Sequence, residues 1–234
     1  MRLAVIMPLG ENPHDCAQSL RSLDALRRHG HRVIAVDGGT ARRIGADAMP
    51  GLADRVVFAP AGWSRQANAG SRAPEVELAD ALVFLPEGVQ LPPDADRSIA
   101  RALSNSTSPW GRFDIRYRPV QGLLYWPLEM AAAIANAASR LTGICTREQA
   151  LFVSRGAFLA LEGFAPVDPR ADPVADSRAD ADFSRRARQL GPPIRLHERT
   201  LVPAPAPELG PLLRAVWRRE CGRLGAALGL CGLR

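Results

Sequence analysis

The sequence predicts an α/β fold in which a single domain holds a mostly parallel central sheet with helices on both faces. At 234 residues the chain is long enough to bury a full core as one domain. Along its first half, short apolar runs alternate with segments of helical spacing, as in parallel strands joined by crossover helices. The apolar runs are continuous, which indicates strands that are covered on both faces of the sheet.

The first half contains four predicted strands. The first is at residues 2–9, and the helix after it begins at Asn12-Pro13, a favourable N-cap and first helical position. Leucines at helical spacing carry this helix to Gly30, and a glycine there ends it. The other strands are predicted at residues 31–39, 53–62 and 79–86, and the other helices at residues 64–73 and 94–104.

The second half is less regular. An extended segment at 110–119 precedes a long helix within 121–144, and a strand followed by a short helix is expected within 148–161. A helix at 176–191 has Ser177 as its predicted cap, and a strand follows at 193–202. These elements place one domain at residues 1–203. Residues 204–234 are predicted to form a proline-rich connector and a C-terminal amphipathic helix.

The positive charge of the chain comes from arginine alone. All 30 basic residues are Arg, the formal net charge is +6 and the pI is about 10. The arginines are scattered among acidic residues and aromatic residues are few, so no nucleic-acid interface is predicted. Arginine nevertheless suits phosphate recognition, because its planar guanidinium donates two hydrogen bonds at once.

Other features indicate a cytoplasmic protein. No apolar stretch is long enough for a membrane span, and the N-terminal run is better explained as a strand than as a signal peptide. Four cysteines and four histidines are widely dispersed, so neither disulfides nor a zinc site is expected. The C-terminal helix is predicted to pack on its own domain or on a partner subunit, with contact to the inner face of an anionic membrane as the alternative.

The ends of the predicted strands point to a ligand site. These ends read PLGEN, VDGG, APAGWSRQ and PEG, and each is rich in small, polar or charged residues. In open α/β sheets, ligands bind beyond the carboxyl ends of the strands. We therefore expect a binding crevice where these four loops meet.

A set of motifs, in order, resembles the family 2 glycosyltransferases. The motifs are MPLGEN, VIAVDGG, GWSRQANAG, LVFLPEGVQLP, WGRFDIRY, SRLTGICTREQALFVSR and ADADFSRRARQLG. The chain is most similar to a small bacterial subgroup labelled arsenosugar-biosynthesis glycosyltransferases, over about Arg2 to Gly191. The resemblance implies the A-type, Rossmann-like nucleotide-sugar fold, with a nucleotide-binding half at 1–104 and an acceptor half at 105–203. It also implies transfer of a sugar from a nucleotide diphosphate to an unknown acceptor with inversion.

The same resemblance assigns site residues. Asp180 occupies the position of the catalytic base; the alternative is an exposed acid that favours its helix N-terminus. Asp37 is expected to bind the base or ribose, with a turn residue as the alternative. The full set of expected nucleotide-sugar contacts is Pro8, Glu11, Asp37, Gly38, Arg65, Asn68, Glu87 and Arg112.

Three positions depart from the family pattern. Gly88 stands where the family has its metal-binding Asp, which leaves Glu87 as the candidate ligand for Mg²⁺ or Mn²⁺. Arg147-Glu148 replaces a Gly-Asp pair, and PAPAPEL replaces a loop containing Arg and Trp. Two accounts follow: a transferase in which Arg65, Arg112 or Arg147 compensates the diphosphate with little or no metal, or a catalytically degenerate homologue that binds nucleotide or a protein.

Overall fold

Seven strands form one sheet in the computed structural model, which describes residues 1–10, 13–39, 51–119, 125–167 and 178–204. The strands are β1 (Leu3–Pro8), β2 (Arg32–Asp37), β3 (Arg55–Phe58), β4 (Ala81–Phe84), β5 (Trp110–Tyr117), β6 (Leu151–Ser154) and β7 (Ile194–Val202). Their order across the sheet is β3-β2-β1-β4-β6-β5-β7. Only β6 runs antiparallel to its neighbours β4 and β5, so the predicted mostly parallel sheet is confirmed.

Helices cover both faces of this sheet. They are α1 (Pro13–Arg21), α2 (Asp24–Arg28), α3 (Trp63–Ser71), α4 (Ala95–Ser104), α5 (Tyr125–Thr142), α6 (Arg155–Ala160) and α7 (Ala179–Ala187). Short 3₁₀ turns cover Pro74–Val76, Arg147–Gln149 and Arg188–Leu190.

The single helix predicted from residue 12 to residue 30 is wrong, because two helices occupy this segment. The Ser22 hydroxyl donates to the Ser19 carbonyl oxygen over 2.6 Å, and the Leu23 amide turns to the Leu20 carbonyl. Such local bonds compete with the regular helical pattern and end α1 at Arg21.

Two further expectations concern helix ends and the C-terminus. The residue that caps α7 is Arg178, one position after the predicted Ser177, and Ser177 lies outside the described residues. Residues 205–234 also lie outside them, and with them the predicted C-terminal helix. Within the described segments, no helix has both the length and the hydropathy that a bilayer span requires.

The core consists of two layers, one on each face of the sheet. On β1, Leu3, Val5 and Met7 point to the layer under α1, whereas Ala4 and Ile6 point to the layer under α3. Helix α3 packs very close to the sheet, since a Cβ placed on Gly70 would lie 2.5 Å from Cγ2 of Ile6. This close contact, near the last residue of α3, holds the helix against β1 and β2.

Candidate functional site

One glutamine side chain ties the tips of β1 and β2 to the start of α3. Nε2 of Gln66 donates to the carbonyl oxygens of Leu9, at 3.3 Å, and Val36, at 2.8 Å. Oε1 of Gln66 accepts from the amide of Gly62, the residue before α3, at 3.2 Å. Because Gln66 is buried and all three partners are backbone groups, it holds three of the predicted loops in one fixed arrangement.

Asp37 lies at the carboxyl end of β2, as predicted, and is buried. Its Oδ1 accepts from the amide of Gly39 at 2.9 Å, the bond of an Asx turn. A Cβ on Gly38 would lie 3.1 Å from Cα of Ala61, so the two loops approach closely here. Pro8 ends β1 beside them and is also buried. Asp37 thus has the turn role, at a position that borders the expected crevice.

Glu87, after β4, turns back toward the loop that follows β1. Its Oε2 accepts a hydrogen bond from the amide of Gly10, and it lies beside the buried thiol of Cys16. Burial raises the pKa of Glu87, although hydrogen bonds from Cys16 and Gly10 oppose the shift. The same surroundings raise the pKa of the Cys16 thiol to about 12, mainly through burial, so this cysteine is not a thiolate nucleophile.

Gly88 adopts a conformation that suits glycine. Its φ is +80°, and a Cβ placed on it would lie 2.8 Å from Cγ of Pro203. The amide of Gly88 donates to Oγ of Ser19 at 2.8 Å, and its carbonyl accepts from Nη2 of Arg118 at 2.7 Å. A cavity of about 390 Å³ lies beside it, with Asp15, Gln18, Ser19, Glu87, Gly88, Arg118 and Pro203 in its wall.

Replacing Gly88 with Asp, the residue that the resemblance puts here, is expected to lower stability by about 1–2 kcal/mol, the cost of a left-handed backbone for an L-residue. The contact with Pro203 adds to this cost. The change should not create a Mn²⁺ requirement, since the strained side chain has no second carboxylate directed to the crevice. Urea unfolding and Mn²⁺ titration would check both points. Gly88→Ala is the control that carries the strain without the charge; a Mn²⁺-dependent gain specific to Gly88→Asp would contradict the expectation.

The candidate base Asp180 lies in the first turn of α7 and is 5% exposed. Its Oδ2 accepts from both the amide and Nε of Arg147, each at 3.1 Å. The Arg147 guanidinium lies over the Trp63 ring, 4.8 Å from its centroid. Trp63 is the first residue of α3, so the candidate base and the strand tips held by Gln66 adjoin the same helix start.

The remaining predicted contacts are placed differently. Arg65 is half-buried in the first turn of α3. Asn68 binds within the protein, because its Nδ2 donates to the Phe164 carbonyl at 2.7 Å and its Oδ1 accepts from the Phe164 amide at 3.0 Å. Arg112 is buried in β5 and donates to Asp114 and the Phe113 carbonyl. Glu11 lies outside the described residues. The geometry therefore favours structural roles for Asn68 and Arg112.

The two residues directly after Pro86, Glu87 and Gly88, offer a divalent metal one carboxylate. The described segments contain no group of three or more His, Cys, Asp or Glu side chains that could hold an ion. The carboxylate of Glu87 is directed to the Gly10 amide, and Gly88 has no side chain to offer. Mg²⁺ is usually held by one or two carboxylates together with substrate phosphates, so a metal here would depend on the diphosphate for most of its ligands.

No family model matches the chain, and no curated protein sequence does. Solved structures do match it. S. aureus TarS 1–349 superposes with a TM-score of 0.61 at 12% identity, covering 97% of this chain and 72% of that one. Glucosyl-3-phosphoglycerate synthase from Mycobacterium tuberculosis, solved with Mn²⁺, UDP and phosphoglyceric acid, gives 0.58 at 15% identity, over 96% and 78%.

The chain has the A-type glycosyltransferase fold. A third match is the mannosyltransferase PcManGT from Pyrobaculum calidifontis, solved with GDP-Man and Mn²⁺, with a TM-score of 0.55 at 17% identity over 98% of this chain and 74% of that one. The chain covers 43% of a longer S. aureus TarS structure. At these identities the likeness establishes the fold alone.

Within this A-type fold, sequence reasoning singled out neither Gln66 nor Arg118, and it proposed Arg147 for the diphosphate without identifying its contact with Asp180. Gln66 lies in the GWSRQANAG motif, and its position three residues after Trp63 was the available signal. The contact of Arg147 with Asp180 and that of Arg118 with Gly88 join residues 33 and 30 positions apart. No local pattern identifies such pairs.

Proposed function

We propose that the protein transfers a sugar from a nucleotide-diphosphate sugar to the hydroxyl of an acceptor, with inversion and with weak or no metal dependence. One observation carries the proposal. The start of α3 adjoins both the buried carboxylate of Asp180, through Trp63 and Arg147, and the tips of β1 and β2, through Gln66. A carboxylate beside a crevice of this fold is the arrangement that a general base needs.

The nucleotide is proposed to lie along the tips of β1 and β2. Pro8, Gly38 and Asp37 border this edge, and Asp37 would accept a hydrogen bond from the base or the ribose. The start of α3 is directed to the same edge, and helix N-termini favour phosphate groups. Arg65 in that first turn is the proposed contact to the diphosphate, and Glu11 stays a predicted contact from the motif.

The proposed chemistry is a single displacement. The acceptor oxygen attacks the anomeric carbon on the face opposite the diphosphate and forms a new C–O bond. The old C–O bond breaks, and its electron pair goes to the diphosphate oxygen. The acceptor proton passes to the Asp180 carboxylate, which Arg147 orients through two hydrogen bonds to Oδ2. Arginine guanidinium groups are proposed to compensate the charge of the departing diphosphate.

A second candidate function rests on the same arginine. Arg147 occupies one oxygen of Asp180 with two donors, and Gly88 removes the family's metal ligand. Both features suit a homologue that binds nucleotide or a protein without transfer.

Several properties stay predictions from the sequence. They are membership of family 2 and of the arsenosugar-biosynthesis subgroup, the cytoplasmic location, the halves 1–104 and 105–203, and a membrane or oligomer contact through the C-terminal helix.

Nucleotide-dependent stabilisation tests the binding step. We expect UDP, GDP or dTDP to raise the melting temperature, because a ligand at about 100 times its Kd adds about 2.7 kcal/mol of stability. Turnover of the matching nucleotide sugar, with and without chelator, then separates the two functions. Binding without turnover supports the second, and no stabilisation by any of these nucleotides contradicts both nucleotide-based functions.

Replacing Glu87 with Gln is expected to leave the Mn²⁺ response of transfer unchanged and to flatten the dependence of stability on pH. Because the pKa of Glu87 is raised in the folded protein, its contribution is fully present below the unfolded pKa and is lost as the pH rises through the folded pKa. Gln cannot lose a proton, so this loss should disappear. Urea unfolding across pH measures it, with the exposed Glu77→Gln as control. A changed Mn²⁺ response would assign Glu87 to a metal.

A further inference from the structure

A second cavity, of about 330 Å³, is lined by four arginines. It lies between the end of α5, the turn after α7 and the first residues of β5 and β7. The arginines are Arg112, Arg140, Arg188 and Arg195. Asp37, Glu87 and Asp180 do not line it. Asp180 and Arg188 are eight residues apart along one helical run, which separates them by about 12 Å along its axis.

The charge of this cavity is strongly positive. One carboxylate, Asp114, pairs with Arg112 and with Nη2 of Arg140, the latter at 2.5 Å. Nη2 of Arg195 contacts a ring nitrogen of His197 at 2.9 Å, and no acidic side chain lines the cavity itself. Four guanidinium groups therefore surround the space with one carboxylate to compensate them.

Arg112 supplies the observation that points to a ligand. It is 1% exposed, and its Nη1 donates to Asp114 and to the Phe113 carbonyl. Its Nε is buried and has no hydrogen-bond partner in the described part of the chain. A buried charged donor without a partner is destabilising, so such groups usually meet an anion or a water.

The other three arginines lie at the rim of the cavity. Arg188 and Arg195 are exposed, so their guanidinium groups can turn toward the space without losing a buried contact, whereas Nη2 of Arg140 stays paired with the buried carboxylate of Asp114. Gly143, with φ +67°, leaves room for the Arg188 side chain, since a Cβ placed on it would lie 3.2 Å from Cδ of Arg188.

We propose that this cavity binds the phosphoryl group of a small soluble molecule, at a site separate from the nucleotide crevice. A phosphoryl group offers several acceptor oxygens, and the planar guanidinium matches this geometry with paired hydrogen bonds. The buried Arg112 in the cavity wall supplies positive charge at the inner end, and the rim arginines supply the hydrogen-bond donors. The volume lies at the lower end of the range of small-molecule pockets, about 300–1,000 Å³, so the cavity holds more than the phosphoryl group alone.

Calorimetric titration with inorganic phosphate, at ionic strength held constant with chloride, tests the site. Two or three charge-assisted hydrogen bonds give an expected Kd of about 1 mM. The double variant Arg188→Gln/Arg195→Gln should raise this Kd at least about tenfold, because each lost bond is worth about 1.5 kcal/mol or more. These two side chains are exposed, so the variant should fold. Arg72→Gln, an exposed arginine after α3, is the matched control and should leave the Kd unchanged.

Three results would show that the cavity is not a phosphoryl site. The first is an absence of saturable heat at about ten times the expected Kd, and the second is a double variant that binds phosphate as tightly as the wild type. The third is equal binding of acetate under the same conditions, since a carboxylate has fewer acceptor sites. Saturating UDP is expected to leave phosphate binding intact. Loss of phosphate binding with UDP would assign the cavity to the nucleotide crevice, whereas failure of UDP to bind leaves this test unaffected.

Discussion

Replacing Asp180 with Asn is expected to lower the rate of sugar transfer by about 10²–10⁴-fold, the contribution typical of a general base. Asn has nearly the same shape as Asp, and its Oδ1 can still accept from the amide and Nε of Arg147. It cannot take the acceptor proton. Because the proposed nucleotide contacts come from the tips of β1 and β2 and from Arg65, and not from Asp180 on α7, the affinity for nucleotide should stay nearly unchanged.

Rate and affinity are measured separately in this test, by product formation and by calorimetry with the nucleotide that stabilises the wild type. Asp182→Asn is the matched control, because Asp182 lies in the same first turn, is half-exposed and pairs with Arg186. It should retain transfer near the wild-type rate. Full activity of Asp180→Asn would place the base elsewhere, and loss of nucleotide affinity would give Asp180 a binding role.

The order of elements was readable from the sequence because burial leaves a local signal. Continuous apolar runs marked β1, β2 and β4, and helical spacing marked α3 and α4. The sequence pattern did not indicate the direction of each strand or the local hydrogen bonds that end a helix. Nothing in residues 151–154 indicates that β6 runs antiparallel to β4. The break after Arg21 depends on one serine hydroxyl, which composition does not distinguish from a solvent-exposed one.

In the candidate site, the positions of residues could be predicted from the sequence, but their hydrogen-bond partners could not. The place of Asp37 at a strand tip followed from the fold class, since the residue comes directly after an apolar run. The partners of Asn68 and Arg112 did not follow, because a polar residue in a motif serves the fold as readily as it serves a ligand. Asn68 holds the backbone of Phe164, 96 residues away, and Arg112 pairs with Asp114 beneath a second cavity. Only the tertiary contacts distinguish the structural roles of Asn68 and Arg112 from the proposed diphosphate contact of Arg65.

Replacing Asp114 with Asn is expected to lower the free energy of unfolding by about 3–5 kcal/mol, the usual cost of removing one member of a buried ion pair. The Asp114 side chain is 4% exposed and binds both Arg112, 1% exposed, and Arg140. Without the carboxylate, the Arg112 guanidinium stays buried with no counter-charge. Glu129→Gln is the matched control, because it breaks the more exposed pair between Arg116 and Glu129 on the same two elements, β5 and α5, and should cost less than about 1 kcal/mol.

Acid should destabilise Asp114→Asn less than it destabilises the wild type, and phosphate should stabilise the variant more. Burial would raise the pKa of Asp114, but hydrogen bonds from Arg112 and Arg140 outweigh it and hold the pKa below its usual value. Its stabilising contribution is therefore present above the unfolded pKa of about 3.9 and is lost as the pH falls through the lower folded pKa. Asp114→Asn should therefore lose less free energy of unfolding than the wild type as the pH falls through this range.

Phosphate should stabilise Asp114→Asn more than the wild type, because two guanidinium groups at the cavity have lost their carboxylate. Urea unfolding across pH, with and without phosphate, measures both effects, and a destabilisation no larger than that of Glu129→Gln would show that Asp114 does not hold these arginines in place.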